Sequence, residues 1–462
     1  MQIPILSGIT TDESADFSAA YPVNLVPVPG SQGISDGYLR PADGIVERGV
    51  GDGACRGGIV WQDVLYMVLG TRLTRVGSDG STTNIGVVAG TDRVTLTYSF
   101  SHLAVAGGGN LYLYDGTAFA RVTDVDLGTV LSVAWQGGYL ITTDGEFLVT
   151  NELADPFEIN PLRYGSSEVS PDPVVAVLRL RNEIYAVNKN TIEVFQNVGG
   201  TGFPFQRAEG AMVSRGAISS DACCVFAETI AFVGGGEGEA LAVWTTNGGA
   251  ATKVSTRDVD KAISNVADKS AIFVQSRLFE GHANLYIHLP DQAFVYDAAA
   301  TAALGRPVWH RLQSGAGGPW RVGAMVFAYG EWWVGDTQSG SIGVFAGATG
   351  EHWGEKTTWQ FNTPIIYNSG MGAIVHELEL VSLTGRVAVG AAPVIATEYS
   401  LDGATWSQRK TIKAGTTGQR RKRLVWLQQG PMDNLRMQRF TGDSDAHLTF
   451  ARLEAKLEPL AF

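Results

Sequence analysis

Cysteine and charge are both scarce in this chain. Of 462 residues only Cys55, Cys223 and Cys224 are cysteines, and two of these are adjacent, with Cα atoms too close for a strain-free disulfide in most backbone geometries. Three such residues read as buried thiols of a protein made inside a cell, not as a disulfide framework. A CxxC redox or zinc pair is missing as well. Charged residues make up 17% of the chain, with a formal net charge of −12. That balance excludes a general phosphate-binding surface, because nucleic-acid affinity comes chiefly from Lys and Arg displacing counterions. No apolar run reaches the roughly 18 residues of a membrane span, so no membrane insertion is expected. The opening MQIPILSGITTDES has neither a basic n-region nor a long h-region, and a secretory signal is not expected.

Catalytic motifs are equally sparse. The histidines at 102, 282, 288, 310, 352, 376 and 447 show no HExxH or H-x-H spacing. His288, inside the apolar run LYIHLP, reads as a satisfied core or lumen residue and not as a ligand. There is no GxSxG elbow and no phosphate loop ending in GK[ST]. The glycine clusters Gly107, Gly108, Gly109 and Gly234, Gly235, Gly236 sit within hairpins, where turn geometry explains them better than nucleotide binding. Asp115, Asp144, Asp297 and Asp336 follow apolar strands, as the acid and base of a propeller glycan hydrolase would. Asp115 and Asp144 nevertheless precede Gly, the ordinary hairpin signal, and Asp297 closes a strand. Ser400, Asp402, Gly403 and Trp406 in YSLDGATW resemble the aspartate box of sialidases, one residue short. That box is a structural turn even where complete. No catalytic, cofactor or metal site is expected, and the chain is read as a non-enzyme.

What the chain has in abundance is turns and short apolar strands. It contains 57 glycines and 45% hydrophobic residues, a globular and not a disordered composition. Pairs of apolar strands around a polar turn recur as VLYMVLGTRLTRV (from Val64), HLAVAGGGNLYLYDG (from His102), YLITTDGEFLVT (from Tyr139), EIYAVNKNTIEVF (from Glu183), TIAFVGGGEGEALAVW (from Thr229), NLYIHLPDQAFVYD (from Asn284) and EWWVGDTQSGSIGVF (from Glu331). Their starts lie 37 to 55 residues apart, the period of propeller blades. A single blade cannot bury both faces, so radial stacking follows. The expected fold is all-β: an N-terminal extended strap (1–48), a β-propeller of six or seven blades (49–350) and a C-terminal β-sandwich-like domain (351–462). The strap expectation rests on the Pro- and Gly-rich YPVNLVPVPG and GYLRPADGI. The sandwich rests on longer alternating strands such as HELELVSLTGRVAVGAA and HLTFARLEAKLEP. One helix is expected within Thr256 to Val274, where Val259, Ala262, Ile263 and Val266 share a face behind Asp258.

The one strong charge run is Arg420, Arg421, Lys422 and Arg423. Four successive cations repel one another unless a partner relieves them, so the run is a candidate contact with DNA phosphates or with an acidic patch on another subunit.

Several segments occur in an order that resembles a known family: YPVNLVP (Tyr21 to Pro27), GYLRPADGI (Gly37 to Ile45), CRGG (Cys55 to Gly58), NTIEVFQNVG (Asn190 to Gly199), VSRGAISS (Val213 to Ser220), NLYIHLPDQAFVYD (Asn284 to Asp297), PVWHRL (Pro307 to Leu312) and VGD (Val334 to Asp336). The pattern is similar to the packaged DNA stabilisation proteins of short-tailed, tailspike-bearing phages, also called tail hub or nozzle proteins. The resemblance implies a structural virion protein of the tail, assembled in the bacterial cytoplasm. It implies a ring, generally a homohexamer, on the head-to-tail adaptor beneath the portal. Such a ring continues the DNA channel, carries tail fibres or tailspikes outside and seats a plug or needle below. An acidic balance suits DNA in transit. The two glycine clusters are then candidate gate hairpins, and Arg420 to Arg423 a candidate partner contact. A propeller glycan-processing enzyme or a sugar-binding scaffold is the alternative reading.

Overall fold

The computed structural model describes residues 1–12, 16–30, 35–200 and 202–460. It contains two compact units interleaved in sequence. One comprises Glu47–Pro290 and Arg321–Phe345; the other comprises Met1–Val46, Asp291–Trp320 and Ala346–Phe462.

The first unit is a seven-bladed β-propeller. Its innermost strands are Cys55–Trp61, Thr95–Tyr98, Ser132–Gln136, Val174–Leu180, Cys223–Phe226, Phe273–Phe279 and Val322–Ala328. Each packs on the next, and the seventh packs on the first, so the ring closes. We number the blades one to seven in that order. Blades one to four are four-stranded antiparallel meanders, and blade five gains an extra short strand, Gly216–Ala217. Blade six contributes the hairpin Phe273–Phe279 with His282–His288. Blade seven is completed by Gly44–Val50, which arrives from the N-terminal side of blade one. This borrowed strand settles the blade number at seven, which the irregular spacing of the repeats left open at six or seven.

The recurring sequence pattern has a direct cause. Second strands such as Val64–Leu69 and Leu103–Gly107 lie between two neighbouring blades and are buried on both faces, so they read as unbroken apolar runs and not as alternation. Interblade seams fill with Val68, Leu73, Leu103, Val105, Tyr112 and Tyr114 between blades one and two, and with Leu111, Leu113, Val133 and Leu140 between blades two and three. Turns are as tight as the sequence suggested. Gly108 and Gly109 have φ of 58° and 75°, and Gly137 and Gly138 have 60° and 97°. Both central residues of these two-residue hairpins are left-handed, the geometry that matches strand twist. The expected helix forms as Arg257–Asn265 with Val259 and Ile263 buried; Ala262 and Val266 are not among its fully buried residues. A short 3-10 turn, Lys269–Ala271, follows.

The second unit is a β-sandwich around one apolar core. One sheet runs in the order Leu25–Pro29, Gly37–Pro41, Phe450–Pro459, Ala373–Ser382, Leu424–Leu427; the other in the order Thr358–Asn362, Leu435–Asp443, Val394–Ser400, Lys410–Lys413. Trp359, Phe361, Trp426, Phe440 and Phe450 interlock between them, with Phe361 and Phe440 stacked at 4.9 Å. The Pro- and Gly-rich N-terminal segment is thus drawn into the sandwich: Leu25 and Leu39 belong to this core. Proline is tolerated because Leu25–Pro29 is an edge strand. No helix among the described residues is long and apolar enough to cross a membrane.

Candidate functional site

Each acid considered for catalysis has a structural occupation. The Asp115 carboxylate accepts from the amides of Thr117 and Ala118, both at 2.7 Å, and Asp144 accepts from Glu146 at 2.9 Å and Phe147 at 2.7 Å. These are turn caps. Asp297 caps the short helix Ala298–Leu304 through the Ala300 amide at 2.9 Å. Asp336 is fully buried and receives the Arg321 guanidinium, whose Nε lies 3.1 Å away, together with the Ser339 hydroxyl. In the aspartate-box segment the Ser400 hydroxyl donates to Asp402 at 2.8 Å and accepts from Gly403 N–H at 2.7 Å, while Asp402 accepts from Ala404 and Thr405. Those amide bonds, Thr405 first, hold its carboxyl well below the usual range. Trp406 carries Arg439 over its ring at 3.9 Å. The segment is a turn whose atoms are committed to its own fold.

One buried cluster of side chains gathers around Arg93 and joins several blades. Arg93, in the connection entering blade two, reaches across the ring to blades five, six and seven. Its Nη1 donates to Gly323 O at 2.6 Å, its Nε stands 3.7 Å from Asp221, and its guanidinium lies 3.8 Å over the Phe273 ring. On Phe273 the His288 ring stacks at 3.8 Å. Gln275 Nε2 donates to the same Gly323 oxygen at 2.8 Å. Burial, and then the nearby Arg93 charge, push His288 well below its ordinary pKa, so it is a neutral packed ring. Sequence patterning left His288 as a core or lumen residue, of which its burial selects the core, but gave no sign of Arg93, because a lone Arg in a connection has no period. No group of His, Cys, Asp and Glu suited to a metal ion occurs among the described residues.

The two glycine hairpins are built differently. Gly107 is buried at a strand end, where an added Cβ would stand 2.8 Å from Val88 and from Val94; Gly108 packs on Ala89. Behind them Arg56, 4% exposed, donates to the carbonyls of Asp92, Gly70, Val88 and Ala89 at 2.5 to 3.2 Å. In blade five Gly234 lets strands Gly216–Ala217 and Thr229–Gly235 approach, since any Cβ there would meet the Gly216 carbonyl. Beyond it the tip is held by Glu239, which accepts from the Gly236 amide at 3.1 Å and from Arg215. Glu237 and Gly238 are exposed.

The basic run forms an exposed turn in the sandwich unit. Arg423 pairs with Glu379 through two bonds of 2.7 and 2.6 Å, which hold the Glu379 carboxyl below its usual value. Arg420, Arg421 and Lys422 make no ion pair with the described residues. The turn is sewn to the loop 383–388: Thr384 Oγ1 donates to Gln419 O at 3.1 Å and Lys422 O at 3.3 Å, Gly418 N–H to Gly385 O at 3.0 Å, and Thr417 Oγ1 to Val387 O at 2.8 Å. That loop brings Arg386, which also makes no ion pair with the described residues, and the apolar Leu383, with Val389 just beyond it. Sequence reasoning found the four consecutive cations and missed the loop, whose contribution depends on a turn-to-turn pairing 30 or more residues apart.

Comparison with known proteins adds a lineage. A family model described as Bacteriophage P22 Gp10, beta-propeller, matches residues 1–350, and one described as Bacteriophage P22 Gp10, beta-sandwich, matches residues 358–458. The chain belongs to the P22 Gp10 family. Among Gp10-family proteins, the tail hub protein gp10 of Salmonella phage P22 is 27% identical over 460 residues, covering 94% of each chain. Among solved structures, the computationally designed Ika8 protein aligns with 65% of this chain and 99% of its own at 11% identity and a TM-score of 0.41. The C-terminal WD40 domain of Sif2 aligns with 66% and 98%, at 13% identity and a TM-score of 0.38.

Proposed function

We propose that this Gp10-family chain is a structural tail hub, a virion protein that closes the lower end of a phage portal channel. The observation that carries the reading is the coverage: propeller and sandwich models of one family match in order across nearly the whole chain, and the P22 tail hub protein aligns over 94% of its length. On this reading copies assemble as a ring, a homohexamer, on the adaptor below the portal. The ring continues the DNA channel, retains packaged DNA, anchors fibres or tailspikes and seats a plug or needle. It is built in the host cytoplasm and catalyses nothing, in keeping with carboxylates that are occupied as turn caps, a helix cap and a buried ion pair. Residues 1–48 serve as a strap that lends strands to the sandwich and, through the strand beginning at Gly44, to blade seven.

Two local features support finer roles. The hairpins at Gly107, Gly108, Gly109 and at Gly234, Gly235, Gly236 are the candidate gate elements, since glycine permits close approach at a crowded axis. Arg420 to Arg423 form the candidate docking contact. The test is the mass of the purified protein, alone and with its portal and adaptor, by multi-angle light scattering with negative-stain imaging. A six-fold ring, or assembly on the adaptor, is expected. A persistent monomer indifferent to both rejects the tail hub and returns the glycan-processing and sugar-binding readings.

A further inference from the structure

Residues 383–428 carry eight Lys or Arg against two acids, while residues 115–172 carry ten acids against two Arg. An acidic chain that concentrates its positive charge in one stretch of the sandwich and its negative charge in one stretch of the propeller carries two complementary surfaces. Each is also tipped with apolar side chains in open solvent. On the basic surface these are Leu383, 55% exposed, and Val389, 91% exposed; on the acidic surface they are Val125, 92% exposed, and Leu162, 85% exposed.

Both surfaces are held in shape before any partner arrives. The basic one is the pair of loops joined through Thr384, Thr417 and Gly418. The acidic one is organised by Asp124, which accepts from Asp126 N–H and Ile159 N–H, both at 2.9 Å, and so ties the Val125–Leu127 turn to the loop after Thr150. Tyr164 donates its hydroxyl to Asp126 O, and its pKa is raised by burial first and then by the fields of Asp126, Asp144 and Asp124, which converge on this one ring. Asp126, Asp144, Glu146 and Glu158 have no ion pair among the described residues. Unpaired charge of opposite sign, pre-organised around exposed apolar tips, is the make-up of an interface whose charges fix partner and register while apolar contacts supply affinity.

We infer that the 383–388 and 417–422 loops of one copy dock on the blade-three rim, around Val125 and Leu162, of the next copy. The contact joins two different surfaces and is therefore heterologous, the kind that repeats from copy to copy. It rests on the ring reading above and names the contact that would make the ring.

A charge swap tests it. Full-length Arg420→Glu/Arg421→Glu/Lys422→Glu and full-length Asp126→Lys/Glu146→Lys/Glu158→Lys replace exposed or half-exposed side chains that make no ion pair, and circular dichroism melts check that each still folds. Sedimentation velocity at low salt is expected to show the wild-type chain self-associating. Each variant alone should associate at least about tenfold more weakly. An equimolar mixture of the two should recover association, because glutamates then face lysines at every second contact and the native pair remains at the others. A wild-type chain that stays monomeric at low salt overturns the inference, as do variants that associate like wild type or a mixture that is not rescued. If the basic variant instead loses binding to a short DNA duplex with self-association untouched, the surface is a nucleic-acid contact and the inference is wrong. The tail hub reading is scored separately, by docking of wild-type protein to particles lacking it. Docking without the swap pattern sinks only the interface, and the swap pattern without docking sinks only the hub.

Discussion

Arg215 and Glu239 meet fork to fork across the base of the blade-five hairpin, with both nitrogens 2.7 Å from carboxylate oxygens, and the same Arg215 guanidinium lies 4.3 Å over the Trp244 ring. Trp244 Nε1 in turn donates to Gly234 O at 3.0 Å. A glycine-rich tip that its composition alone would leave loose is thereby latched. Arg215→Ala should speed amide exchange at Gly236 and Glu239 while leaving the melting temperature nearly unchanged, because the pair is solvent-accessible. Unaltered exchange would show that the latch does not order the tip. Glu239 is held below its ordinary pKa of 4.5 by the Arg215 bond first. A lowered carboxyl favours the latched form above its unfolded pKa, and that preference fades as pH falls through the folded value. Tip protection should therefore weaken below about pH 4.5, and Arg215→Ala should reduce that pH dependence to what the Gly236 amide bond alone sustains.

The same tip is the proposed gate. Removing Glu237 and Gly238 shortens it without touching the paired Gly234 and Gly235. Particles assembled with the shortened protein should lose packaged DNA or eject it at a changed rate. Retention and ejection both equal to wild type would remove this hairpin from the gating role.

Arg56 bears on the other glycine cluster. It binds four backbone carbonyls, Gly70 in one turn and Val88, Ala89 and Asp92 in the connection to blade two, while 4% exposed. Arg56→Met removes all four bonds and leaves the buried Val88 acceptor without its partner, at a cost of about 3 kcal/mol. Urea unfolding should register it, and a loss below about 1 kcal/mol would mean that the carbonyls find other donors.

How much of this was legible beforehand depends on the range of the interaction. Strand pairs such as Val64–Leu69 with Arg72–Val76 announce themselves, because a doubly covered strand is continuously apolar and its turn is local. The seventh blade did not, since Gly44–Val50 completes it from nearly 300 residues upstream in sequence and has no pattern to mark that destination. The N-terminal segment read as a strap because Pro and Gly break periodicity, yet Leu25 and Leu39 end in the sandwich core. For the surface, Arg420 to Arg423 was visible as a run, whereas the Asp126, Asp144 and Glu146 rim was not. Its acids are scattered among turn signals and gather only when blade three folds.

The three thiols offer a chemical reading of the core. Burial pushes the Cys55 thiol up to about 11 and the Cys224 thiol up to about 12, and pushes Cys223 well above its ordinary value. Thiolate is the reactive form. Folded protein at pH 8 should therefore react with a thiol-specific reagent far more slowly than unfolded protein, with the burst appearing at the unfolding midpoint. Fast labelling of one equivalent in the native state would place a cysteine outside the core.

Acid sensitivity of the sandwich unit should trace to His310, which is 3% exposed. Burial, and then the Arg40 charge, lower its pKa from 6.5 to about 3. The unfolded chain takes up a proton near pH 6.5 that the folded chain refuses until about pH 3. The stability this group confers is thus complete above pH 6.5 and is lost as pH falls through that window, with a slope of about 1.4 kcal/mol per pH unit. His310→Gln keeps a polar side chain of similar reach and does not titrate. Its stability should be flatter than wild type between pH 6 and 4, measured by denaturant unfolding at fixed pH. Parallel curves for the two proteins would assign acid lability elsewhere, and a steeper curve for the variant would mean that His310 is charged in the folded state.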